Sequence, residues 1–156
     1  MTVVDARQPV PELTADRKQA LVELLAAEPT LVLAYLHGSR VRGGGPLSDI
    51  DLAVLLDRSL SSSRRDVVLR SLFAGMAKTI GTYEIDLVDL ASAPPLLRHR
   101  VVRDGELLVE QNSRARVEFV RDTILVYLDT EHLRREMSKG LRHILEEDRF
   151  GRPNTR

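Results

Sequence analysis

An α+β domain is the fold this sequence predicts, on three observations. Short apolar runs of strand length alternate with amphipathic segments of helical period. Glycine, proline and serine mark the junctions between them, and the C-terminal part of the chain keeps a helical period throughout. The length of 156 residues, 43 % of them apolar, suffices for one compact domain with a core of its own.

Residues Pro11 to Ala27 carry Ala20, Leu21, Leu24 and Leu25 at spacings of three and four, with Thr14 and Asp16 as candidate caps, and predict an amphipathic helix. Leu31 to His37 is apolar and runs straight into Gly38-Ser39, the pattern of a buried strand ending in a tight turn. Arg40 to Ser48 holds Gly43, Gly44, Gly45 and Pro46 and reads as a loop. Asp49 to Asp57 alternates, so Ile50, Leu52, Val54 and Leu56 share one strand face while Asp49 and Asp51 take the other.

The serines at 61–63 can cap a helix running to Lys78 with apolar positions Val67, Val68, Leu72, Met76 and Ala77, and Gly81 ends it. Tyr83 to Leu90 predicts a third strand, Pro94-Pro95 opens a short helix, and Glu106 to Glu110 is strand-like, giving about four strands in all. From Ser113 to Asp148 the positions Val117, Val120, Ile124, Leu128, Met137, Leu141 and Ile144 recur at helical spacing, with a break expected near Asp129-Thr130. These long helices extend a single domain over 1–149, and the polar residues 150–156 are expected to be a disordered tail.

Lys plus Arg and Asp plus Glu each total 23, so no global positive field draws the chain to nucleic acid, and any anion must be held locally. With no cysteine there are neither disulfides nor thiolate metal sites. The N-terminus lacks the apolar run of a signal peptide and no segment is apolar over a bilayer's thickness, so a cytoplasmic protein is expected.

The chemistry sits in Gly38-Ser39, nine intervening residues, then Asp49-Ile-Asp51. A glycine at a strand end lets the backbone approach a phosphate, and the serine adds a hydroxyl and an N–H, which together make a phosphate cradle. Aspartates two apart on a strand point the same way, roughly 6.6 Å apart along the backbone, and can converge on one hard cation. Left alone they repel by roughly 2 to 3 kcal/mol at an effective dielectric of about 20, so a divalent ion reverses the sign of the interaction. Asp86, between Ile85 and Leu87, is the candidate third acid, with Glu84 and Asp89 as alternatives.

His37-Gly-Ser-Arg-Val-Arg-Gly43 followed by Ser48-Asp-Ile-Asp-Leu52 resembles the signature of the minimal nucleotidyltransferases, relatives of polymerase-beta-type enzymes. Tyr83-Glu-Ile-Asp-Leu-Val88 is similar to the same family's third-acid segment, and the likeness spans residues 30–110. It implies a nucleotidyltransferase-like fold, a small mixed sheet packed on helices. It also implies ATP as substrate, with two magnesium ions held by Asp49, Asp51 and Asp86 as metal-binding and catalytic residues. Gly38, Ser39 and Arg40 are then the nucleotide-binding residues. Here the triple glycine and Pro46 replace that family's more polar loop.

Many small members of that family are antitoxins encoded beside an all-helical HEPN-type ribonuclease toxin, and some transfer AMP from ATP to a toxin tyrosine. The resemblance therefore implies a protein adenylyltransferase with a HEPN toxin as partner. The alternatives are an antitoxin that only occludes its toxin, and an enzyme that modifies a small molecule. Arg40 and Arg42 suit either the triphosphate or an acidic partner. His37, His99, His132 and His143 lack metal-ligand spacing and are assigned structural or surface roles, and Arg64-Arg65 and Arg134-Arg135 read as solvated faces. The C-terminal helices suit either a core or a docking surface.

Overall fold

The computed structural model of the chain describes residues 11–39, 41 and 49–147, with side chains through residue 140. Arg40, Arg42, the triple glycine, Pro46, Ser48 and the tail over 150–156 lie outside the described residues. The described elements are α1 (Ala15–Ala26), β1 (Leu31–His37), β2 (Ile50–Leu56), α2 (Ser62–Ile80), β3 (Ile85–Asp89), α3 (Pro95–Asp104), β4 (Glu106–Glu110), α4 (Ser113–Asp129) and α5 (Glu131–Glu147).

Local chemistry sets the helix ends. The side chains of Thr14, Ser61 and Asn112 accept hydrogen bonds from the N–H groups of Arg17, Arg64 and Ala115, satisfying donors that a helix start leaves open. Gly81 closes α2 at φ 83°, a left-handed conformation that costs glycine nothing. The break expected near Asp129-Thr130 falls there, between α4 and α5.

The strands form one mixed sheet in the order β3-β2-β1-β4. β1 pairs antiparallel with β2 and β4, while β2 and β3 run parallel, a pairing that needs a crossover, here α2. The central strands are covered on both faces, which is why Leu31 to Leu36 is apolar without alternation. On one face, Leu21 and Leu25 of α1 and Val68, Leu72 and Met76 of α2 pack on Leu36, Ile50, Leu52, Val54 and Leu56. On the other, Val101 of α3 and Phe119 of α4 cover Leu33, Tyr35, Ala53 and Leu55. Among the described residues no helix is long and apolar enough to cross a membrane.

Two expectations are corrected. Val67, placed on the apolar face of its helix, is exposed; Val68, Leu72 and Met76 suffice to cover the sheet. For the C-terminal stripe, whose role the sequence leaves open between core and docking surface, Val117, Ile124 and Leu128 face outward and α4 meets the sheet layer through Ala115 and Phe119. Arg65, read as solvated, is an internal ion pair with Asp89: its Nη1 donates to Asp89 Oδ2 at 3.2 Å and its Nη2 to the Asp57 carbonyl at 3.1 Å. Their side chains are 16 % and 8 % exposed. Asp89 thereby ties β3 to the start of α2.

An acid this enclosed loses most of its compensation when the arginine goes. Arg65→Met is expected to cost about 3 kcal/mol, a fall of about 10 °C in melting temperature. Arg64→Met, at an exposed neighbouring position, is expected to change it by less than about 2 °C. Thermal denaturation of both variants checks the pair.

Candidate active site

The antiparallel register of β1 and β2 sets His37 opposite Asp51, and the parallel register of β2 and β3 sets Asp51 opposite Asp86. Residues opposite one another across a ladder project from the same face, so His37, Asp51 and Asp86 form one row, each strand step being about 4.8 Å. Asp49, two residues before Asp51, lies just ahead of β2. This face is the one that α3 and α4 cover further along, at Ala53, Leu55 and Val88. The acids lie at the sheet end this helical layer leaves uncovered, where Asp49 and Asp86 are exposed and Asp51 half-buried.

Gly38 ends β1 at φ 78°, and a Cβ built on it would lie 1.9 Å from Asp51 Oδ2. The Asp51 carboxylate thus occupies the space that a side chain at position 38 would need. Ser39 follows in the turn and is half-buried. Of the six residues expected to form the site, Gly38, Ser39, Asp49, Asp51 and Asp86 gather at this sheet end, and Arg40 lies outside the described residues.

The field of the acids is visible in their neighbours. Burial pushes the Asp51 carboxyl above its ordinary value; His37 opposes this, while the negative charges of Asp86 and Asp49 add to it. Burial also lowers the His37 imidazole, against the pull of Asp51 and Asp86. His37 Nε2 is buried without a hydrogen-bond partner among the described residues. The sequence reading gave His37 no part in the site. The signal lay in the alternation of Leu33, Tyr35 and His37, which carries His37 to the same face as Asp51.

Among the described residues no three His, Asp or Glu side chains stand within reach of one cation as they are placed. The chemistry of the donor set nevertheless suits magnesium: Asp49, Asp51 and Asp86 offer hard carboxylate oxygens, and the absence of a side chain at Gly38 is what lets the Asp51 carboxylate sit against that turn. Asp89, the alternative third acid, faces α2 and is bound to Arg65, on the opposite side of the sheet.

The profile of the family described as "Polymerase beta, Nucleotidyltransferase" matches residues 19–114, more than half of the chain. No curated protein matches the sequence. Among solved structures, a toxin-antitoxin crystallised with AMP-PNP has 30 % identity and a TM-score of 0.64, covering 80 % of this chain and 97 % of that one. A complex of tri-AMPylated Shewanella oneidensis HEPN toxin with its MNT antitoxin matches at 28 % identity and a TM-score of 0.62, over 80 % of this chain and 95 % of that one. A MntA-HepT toxin-antitoxin structure matches at 28 % identity and a TM-score of 0.61, over 80 % and 96 %. Through the fold and the profile alike, this chain belongs to the polymerase beta-type nucleotidyltransferase family.

Proposed function

We propose that the chain is an adenylyltransferase antitoxin that moves AMP from ATP to a hydroxyl, a tyrosine hydroxyl foremost, of a HEPN toxin. The observation that carries this reading is the row of Asp51 and Asp86 in register beside the Gly38 bend. The similarity to complexes of HEPN toxins and MNT antitoxins, one of them AMPylated, supports the partner.

In this reading the Gly38 and Ser39 N–H groups and the Ser39 hydroxyl hold the β- and γ-phosphates. Asp49, Asp51 and Asp86 would hold magnesium, expected as two ions, which when bound supplies positive charge against the phosphate oxygens. Asp86, on the outer strand β3, is assigned the proton of the acceptor hydroxyl, which would approach from that edge of the sheet. The hydroxyl oxygen forms a bond to the α-phosphorus, the bond from that phosphorus to the bridging oxygen of the β-phosphate breaks, and pyrophosphate leaves.

Incubation with ATP, magnesium and the protein encoded next to it, followed by intact mass measurement, tests the reading. Mass gains in whole AMP units on the partner are expected. Tight binding with no gain would instead mark an antitoxin that acts by occlusion.

A further inference from the structure

We propose that the cavity between the end of β1 and α3 is a polyphosphate subsite, in which Arg100 binds the terminal phosphates of the nucleotide and then the departing pyrophosphate. The inference rests on the function proposed above and extends its site beyond the glycine-serine turn.

The cavity measures about 450 Å³ and is lined by His37 and Gly38 at the end of β1 and by Arg100, Arg103 and Asp104 of α3, with apolar Leu97 and Val101 behind them. It therefore begins at the residues that close the row of acids and continues away from them. The roles proposed above, laid on the strand order, give the direction. Asp86 is on β3, Asp49 and Asp51 belong to β2, and His37-Gly38 ends β1, so the route from acceptor to α-phosphate to outer phosphates leads into this cavity.

The charges along the wall differ in how far they are engaged. Arg103 donates from Nε and Nη2 to the two oxygens of Asp104, both at 2.7 Å, and so arrives neutralised. Arg100 is exposed, and among the described residues it has no hydrogen bond or ion pair. It is the cation of this wall left for a ligand, and a guanidinium offers phosphate oxygens two parallel donors. The balance of charge over the whole chain makes such local placement necessary if a polyanion is to be held at all.

Calorimetric titration of the full chain in magnesium buffer with ATP, AMP and inorganic tripolyphosphate tests this. Arg100→Ala is expected to weaken ATP and tripolyphosphate about 10- to 30-fold and to leave AMP within about twofold, as befits a charge-assisted contact to the outer phosphates. Arg100→Lys is expected to recover part of the loss, and melting temperatures to stay equal, which excludes misfolding as the cause. Loss of AMP affinity to the same degree, ATP affinity unchanged in Arg100→Ala, or no binding of tripolyphosphate to the parent chain would each overturn the subsite. Tripolyphosphate needs neither acceptor nor transfer, so the two readings fail separately. Absence of AMP transfer with binding that depends on Arg100 would sink the enzyme and keep the subsite. Transfer with Arg100-independent binding would do the reverse.

Discussion

Asp51→Asn is expected to lower AMP transfer at least ~100-fold, more than the loss typical of residues behind a metal's direct ligands, while the domain melts at the same temperature or slightly higher. Both halves follow from where Asp51 stands. Its carboxylate lies between the Gly38 bend and the register partner Asp86, so the amide removes a charge from the centre of the donor set. The folded state raises the Asp51 carboxyl, chiefly through burial, with Asp86 and Asp49 adding to it. A carboxyl raised on folding binds more protons in the native than in the unfolded state, so stability falls as pH rises through the raised value. At neutral pH the ionised Asp51 therefore works against folding, and the neutral asparagine relieves this. Asp49→Asn is expected to show the same loss of turnover. Transfer of label from radioactive ATP to the partner, read beside thermal denaturation, checks the pair of effects; undiminished labelling in either variant would refute the mechanism.

Gly38→Ala is expected to be as damaging to turnover, by displacement instead of deletion. The new Cβ would lie 1.9 Å from Asp51 Oδ2 and 2.7 Å from Asp51 Cγ, so the carboxylate must swing away. A displacement of about 1 Å at a reacting centre can cost about 100-fold. The backbone adds its own penalty, since φ at this position is 78° and an L-residue there loses about 1 to 2 kcal/mol. For a domain of this size that is a fall of about 5 °C in melting temperature. A double-mutant cycle separates the two terms. In an Asp51→Ala background the clash with the carboxylate is gone and only the 3.1 Å approach to the Cβ at position 51 remains, so Gly38→Ala should cost little beyond the backbone term there. Equal costs in both backgrounds would show that the contact with Asp51 carries no energy.

The parts of this structure that were legible in the sequence are those encoded by local periodicity. Alternation along β2 separated Asp49 and Asp51 from Ile50, Leu52, Val54 and Leu56, and the caps at Thr14, Ser61 and Gly81 are short-range chemistry. What periodicity cannot carry is partnership across the chain. The pairing of Asp51 with Asp86 depends on a parallel register across the α2 crossover; the apolar neighbours of Asp86 and the family resemblance pointed to that acid, and local pattern could not set the register. The Arg65-Asp89 pair links positions 24 apart and leaves no local trace in either segment. For α4 the helical period was right, but a period identifies a face without saying what covers it; Phe119, off the main stripe, makes the inward contact. Arg100 belongs to no motif, and its interest comes from the wall on which α3 places it.

The row of acids begins where the helical covering of the sheet ends, so the groups that do the chemistry and the groups that hold the domain together are largely different residues. Such a division gives descendants of this chain an evolutionary exit. A lineage that loses its aspartates keeps an intact scaffold, and can give up catalysis without passing through an unfolded ancestor.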